Sequence, residues 1–144
     1  MRKISKALTI AGPDVSGEAG INADLRTFEE FGVYGMSVLT VVVACDPDNN
    51  WSHDIYPLPL DLIEKQLTTV CKGVGVDAVK TGMLGSAELV EPVVETIKKY
   101  RLPNVVVDPV LVCKGISRTW IASRRSRKLR KQLVVSMRSE LGMS

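Results

Sequence analysis

Residues 7–28 read ALTIAGPDVSGEAGINADLRTF: a short apolar run, a Gly-rich turn, then a helical pattern. Lys6–Ile10 is a strand candidate, and Ala11-Gly12-Pro13-Asp14 turns out of it. Pro13 fixes φ and removes a backbone donor, which stiffens that turn. Ser16–Gly20 leads into a helix whose apolar face is Ile21, Leu25, Phe28 and Phe31, with Gly32 as its C-terminal cap. Asp24 borders that face. It reads either as an acid favourably placed near a helix N-terminus or as a carboxylate that receives a polar ligand atom, and spacing alone leaves both open.

Working outward, Tyr34–Ala44 (YGMSVLTVVVA) is the strongest strand signal, β-branched and apolar on both faces and therefore central in a sheet. Cys45–Asn50 is a turn-rich loop, and Trp51–Tyr56 is a short edge strand carrying the single histidine, His53. Pro59 opens a helix over Asp61–Lys72 with Leu62, Ile63, Leu67 and Val70 at helical spacing. Val76–Thr81 is the next strand, Ser86 caps a helix running through Tyr100, and Asn104–Val107 is a further β-branched strand. Strands and helices alternating in this order predict an α/β fold: a doubly wound, largely parallel sheet with flanking helices and right-handed crossovers. Turns at 11–17, 80–85 and 108–115 then gather at one sheet edge, each with Gly and a charged residue, an arrangement that suits a small polar or phosphorylated ligand.

Composition narrows the function class. With 144 residues and 45% hydrophobic content the chain is long enough to bury a core. No apolar run approaches the ~20 residues that span a bilayer, and the apolar start breaks at Gly12 and Pro13, too short for a signal segment. The expectation is a cytoplasmic protein without a membrane partner. Cys45, Cys71 and Cys113 are widely spaced and form no metal or disulfide pattern, so free thiols are expected. Charge is uneven: residues 1–115 hold 11 Lys/Arg against 15 Asp/Glu, whereas residues 116–144 hold 8 Lys/Arg against Glu140 alone. That shift divides the chain into a first part, 1–115, and a basic tail, 116–144.

Neither GxxxxGK[ST] nor a strand-linked GxGxxG is present. Three ordered patterns, TIAG-x-D-x-SG-x-AGI-x-ADL-x-TF at Thr9–Phe28, VKTGMLG at Val79–Gly85 and VVVDPV-x-V-x-KG at Val105–Gly115, resemble the ribokinase-like vitamin kinases. That group contains hydroxymethylpyrimidine/phosphomethylpyrimidine kinases and the similar bacterial pyridoxine/pyridoxal kinases. The resemblance implies ATP and Mg²⁺ as cofactors and a vitamin as substrate. By that resemblance Gly12, Asp24, Cys45, Met83 and Val110 line a vitamin-ring pocket, and His53 matches a pocket histidine of the pyridoxal branch. Lys80 and Asp108 fall at the phosphate and Mg²⁺ end, Lys80 towards the nucleotide and Asp108 towards the metal. Cys113 matches a position on a substrate lid. Pyrimidine kinases usually carry Gln where this chain has Cys45, which cannot make a two-point contact to an aminopyrimidine, so the pyridoxine branch is favoured.

The sequence departs from the pattern in places. Pro13 stands where the group usually has Ser or Thr, Glu18 where it usually has Gly in a turn expected to need a glycine conformation, and Leu111 where Met is common. After Gly115 the resemblance stops: the Thr-Pro-Asn element, the glycine-rich anion hole and the catalytic base of the group are not seen, so no catalytic residue is assigned and the sheet is expected to be incomplete at its C-terminal side. An open edge there favours association, including a homodimer. Arg124–Lys131 reads as a basic helix, and Leu129–Leu133 as a turn against the sheet. That basic stretch lacks interleaved aromatics and a nucleic-acid fold around it, so no nucleic-acid partner is expected. Three functional readings follow. The first is ATP-dependent phosphorylation of the hydroxymethyl group of pyridoxine, pyridoxal or pyridoxamine, impaired in a chain cut short or altered in frame. The second is the pyrimidine kinase activity. The third is a non-catalytic fragment that binds the vitamin.

Overall fold

The computed structural model describes residues 4–108 and 110. Cys113, Leu111, the 116–144 tail and the features expected on it lie outside the described residues. In chain order the elements are β1 (Lys6–Ala11), α1 (Gly20–Glu30), β2 (Tyr34–Leu39), β3 (Val41–Asp46), β4 (Ser52–Pro57), α2 (Leu60–Thr68), β5 (Ala78–Thr81), α3 (Val90–Lys99) and β6 (Val105–Val107).

Four strands form one parallel sheet in the order β2-β1-β5-β6. β1 is bonded on both sides, from Lys6↔Tyr34 to Ala11↔Leu39 against β2 and from Ala7↔Ala78 to Ile10↔Thr81 against β5. Alternation along β1 sends Leu8 and Ile10 to one face and Ala7, Thr9 and Ala11 to the other. The first face joins Met36, Val38 and Val79 with Ile63 and Leu67 of α2 and Val93 and Ile97 of α3 in the main core. The second face carries α1, which packs on β1 and β2. Small residues let that helix come close: a Cβ on Gly35 would sit 2.9 Å from Leu25 Cδ2. The expected parallel sheet with flanking helices is present. Among the described residues no helix is long and apolar enough to cross a membrane.

Four expectations are corrected. Tyr34–Ala44 is not one central strand. β2 is an edge of the described sheet, the chain leaves it at Thr40, and β3 pairs antiparallel with β4 in a separate two-stranded sheet. A run this rich in strand-forming residues holds no local signal for a break at Thr40; the cause is tertiary. Leu39 is paired with a side chain in place of a strand, its N–H donating to Gln66 Oε1 at 3.0 Å and its carbonyl accepting from Gln66 Nε2 at 3.1 Å. Phe31 is 79% exposed and lies past the apolar face of α1, whereas Gly32 takes the left-handed φ of 66° expected of a helix stop. The helix after Pro59 ends its α geometry at Thr68 and continues as a wider π turn over Thr69–Val74. Ser86 does not cap α3, which starts at Val90 with Pro92 in its first turn, where the missing N–H costs nothing.

Core positions on α2 separate by exposure, Leu67 at 1% and Leu62 at 43%. Leu67→Ala is expected to lower stability by about 3 kcal/mol, and Leu62→Ala by less than about 0.5 kcal/mol, in urea denaturation.

Candidate functional site

β2 follows β1 in the chain and lies on one side of it, while β5 lies on the other. The connections leaving the C-terminal ends of β1 and β5 therefore diverge and open a crevice there, the usual ligand position in open α/β sheets. A cleft of about 630 Å³ occupies this place.

Its floor is the turn after β1. Gly12 has no room for a side chain: a Cβ would lie 2.5 Å from Val41 Cγ2 and 3.0 Å from Met83 Cε. The Gly12 carbonyl accepts from Ile21 N–H at 3.1 Å, which ties the floor to the first turn of α1. Asp14 shapes the lip, its Oδ1 accepting from Ser16 N–H at 2.9 Å and from the Ser16 hydroxyl at 2.8 Å. Partial burial on its own would raise the Asp14 pKa. The two Ser16 bonds, the Ala19 N–H and the nearby His53 outweigh it and hold the carboxyl below its ordinary value.

One wall is the β3–β4 hairpin. Val43 and Cys45 share its cleft face by alternation, and Cys45 stands directly opposite His53 across the strands. The loop between the strands, held by Asp46 through bonds from the N–H groups of Asp48 at 3.0 Å and Asn49 at 3.3 Å, brings Trp51 to the rim. Met83 and Gly82, beyond β5, form the facing wall, and Asp108 and Val110 close the far end.

Asp24 and Lys80 make the half-buried ion pair of the site. Lys80 Nζ donates to both Asp24 oxygens, at 3.0 and 2.9 Å, and the Thr9 hydroxyl adds a 2.6 Å bond to Oδ2. The two side chains are 17% and 27% exposed, so the charges are partly shielded from water and held by fixed partners. Asp24 thus stands beyond the first turn of α1 and reaches the cleft only through Lys80.

Asp108 is exposed, and its Oδ1 accepts from Val110 N–H at 3.1 Å. Among the described residues no group of three His, Cys, Asp or Glu side chains could hold a metal. A single carboxylate fits a Mg²⁺ that arrives already coordinated by phosphate oxygens, and does not fit one caged by protein alone. Cys71 is away from the cleft, in the π turn after α2, and burial pushes its thiol pKa up, which leaves it unreactive.

The structure brings Gly12, Cys45, His53, Lys80, Met83, Asp108 and Val110 to one cleft. Asp24 lies behind that surface, and Cys113 falls outside the described residues. Val43, Asp14 and Trp51 also line it without having been singled out. Val43 was available from the alternation that places Cys45. Trp51 was not, because its place depends on a left-handed backbone at Asn50 and Trp51, φ 52° and 57°, which no local pattern announces. Glu18 lines the lip but is not among the residues with positive φ; Gly17 and Gly20 carry that conformation, at 79° and 59°. The expectation that Glu18 occupies a glycine-only conformation is therefore corrected.

A family model described as phosphomethylpyrimidine kinase matches residues 14–138. The pyridoxine kinase of Bacillus subtilis is 53% identical over 128 residues, covering 89% of this chain and 47% of that protein. The hydroxymethylpyrimidine/phosphomethylpyrimidine kinase of the same organism is 45% identical over 112 residues, covering 78% and 41%. A crystal structure of an ADP complex of Bacillus subtilis pyridoxal kinase superposes with a TM-score of 0.83 at 48% identity, covering 92% of this chain and 49% of that one. The Staphylococcus aureus pyridoxal kinase in complex with AMP-PCP and pyridoxal gives 0.70 at 49% identity, covering 75% and 40%. The chain spans 40% to 49% of the length of these four relatives.

Removing one partner of the ion pair leaves the other charge half-buried. Lys80→Met is expected to cost about 2 kcal/mol in urea denaturation, and the double change with Asp24→Asn less than the sum of the two single changes.

Proposed function

The chain belongs to the phosphomethylpyrimidine kinase family, and from that membership we propose that its cleft is the vitamin-ring pocket of an ATP-dependent kinase for the hydroxymethyl group of pyridoxine and pyridoxal. One observation carries this reading: Lys80 is the single Lys or Arg among the described residues lining the cleft, and it is already neutralised by Asp24. A described lining without free positive charge, bordered by Met83, Val43, Cys45 and His53, suits an uncharged or zwitterionic aromatic ring better than a phosphate. Pyridoxine is such a ring. Its hydroxymethyl group would point towards the Asp108 end, where nucleotide phosphates are expected.

In this reading Gly12 and Met83, which touch each other, form one surface under the ring, and the Cys45–His53 pair meets its polar edge. Lys80 offers the N–H not used on Asp24 to an anionic oxygen. Asp108 would hold Mg²⁺ on the nucleotide phosphates, where the ion spreads the negative charge of the transferring group. Relatives crystallised with ADP, AMP-PCP and pyridoxal support this division of the site. Hydroxymethylpyrimidine is the second reading, supported by the family model and the 45% identical pyrimidine kinase. Cys45 weighs against it, since a thiol cannot pair with an aminopyrimidine edge as an amide does.

Protection of Cys45 tests the pocket without requiring turnover. Iodoacetamide labelling followed by peptide mass spectrometry is expected to modify Cys45 and to spare Cys71. Pyridoxine at about ten times its Kd should slow Cys45 labelling about tenfold. Stronger protection by hydroxymethylpyrimidine would favour the second reading, and no protection by either would overturn the assignment. ATP-dependent formation of pyridoxine 5′-phosphate by the same protein measures the transfer itself.

A further inference from the structure

We propose that Thr40, which does not itself line the cleft, is the positioning residue that sets the hairpin wall against the floor and the facing wall, and so governs ligand affinity from behind the site. The hairpin leaves the main sheet at Thr40 and the chain returns from it at Leu58. These two crossings are closed on each other by one bond, Leu58 N–H donating to the Thr40 carbonyl at 3.0 Å. Thr40 N–H donates to the Ala11 carbonyl at 3.1 Å, one residue before the Gly12 floor. Its hydroxyl donates to the Met83 carbonyl at 2.7 Å, on the opposite wall. The polar groups of one residue are therefore bonded to the base of the hairpin, to the strand that leads into the floor and to the opposite wall. Thr40 is 1% exposed, so water does not compete for these bonds.

The neighbouring residues make the arrangement a socket. Leu39 is gripped on both backbone groups by the Gln66 amide. Val41, fully buried, presents its two γ-methyls to positions where neither Gly12 nor Gly85 has a side chain. A threonine fits here for a specific reason. A valine of the same shape preserves the backbone bonds and the packing and removes only the tie to Met83. A serine keeps the tie and drops a methyl. The two substitutions separate the hydroxyl's positioning role from its share of packing.

The affinity part of this inference rests on the vitamin-pocket reading, whereas the positioning part does not. Hydrogen–deuterium exchange on the ligand-free protein reads the positioning part alone. Thr40→Val is expected to speed exchange in Val41–Asp46 and Ser52–Pro57, with β1 and α3 unchanged, and Thr40→Ser to restore the slow rates. Pyridoxine affinity, by Cys45 protection, should fall about tenfold in Thr40→Val and recover to within about threefold in Thr40→Ser. Unchanged hairpin exchange in Thr40→Val, equal acceleration in every element, or failure of Thr40→Ser to rescue would each overturn the proposal. Absence of pyridoxine binding in the unsubstituted protein would instead overturn the pocket reading, and the exchange result would still decide the role of Thr40.

Discussion

The carbonyls of Ile10 and Ala11, the last two residues of β1, accept hydrogen bonds from opposite sides: Gly82 N–H at 2.9 Å and Thr40 N–H at 3.1 Å. Both walls of the cleft start from these two bonds. A parallel strand bonded on both edges has no freedom to shift, so the points from which the walls depart are fixed to the sheet. The chain beyond β1 must then leave the sheet between them, and it does so through Gly12, where any side chain would strike Val41 and Met83. The cleft exists because the floor there is a bare backbone. The Asp24–Lys80 pair, with Thr9, adds a charged tie between α1 and β5 across the same gap. It joins elements that neighbour β1 but do not pair with each other.

Much of this was legible in the sequence wherever the signal was local. The β1–turn–α1 unit, the strand at β5 and the convergence of the loops near Gly12, Lys80 and Asp108 followed from periodicity, Gly and Pro placement and strand order. The break at Thr40 did not. Tyr34–Ala44 is rich in strand-forming residues on both sides of the break, and the residues that force it off the sheet, Gln66, Gly85 and Met83, lie 26 to 45 positions after Thr40. Asp24 shows the same limit. Its spacing suggested a helix-end acid or a ligand contact, and the structure gives it Lys80, 56 residues away. Local pattern can mark a carboxylate as half-buried, but only tertiary structure supplies its partner.

The two departures in the first turn are accommodated differently. Pro13 forms an isolated bridge with Gly20, and the neighbouring N–H, that of Asp14, donates to Asn22 Oδ1 at 3.1 Å. A proline there removes one donor but leaves the turn closed through its neighbour. Glu18 is exposed, so its charge is solvated at the lip and imposes no strain on the backbone. Neither residue prevents the fold of the floor. Their effect falls on what the floor presents: no donor from residue 13, and a carboxylate at the entrance.

That carboxylate extends a trend across the whole cleft. Asp14, Glu18 and Asp108 border it, and the one lysine among its described lining residues is matched by Asp24. A free phosphate approaching this surface meets net negative charge at short range, where Coulomb repulsion is least screened. A neutral ring does not. In the proposed reading the same field would favour a divalent cation at the Asp108 end, and a nucleotide whose phosphates carried that cation would lose the repulsion that excludes it bare. In the proposed reading charge separates a ring end from a metal–phosphate end among the described residues, and the hairpin held at Thr40 borders the first.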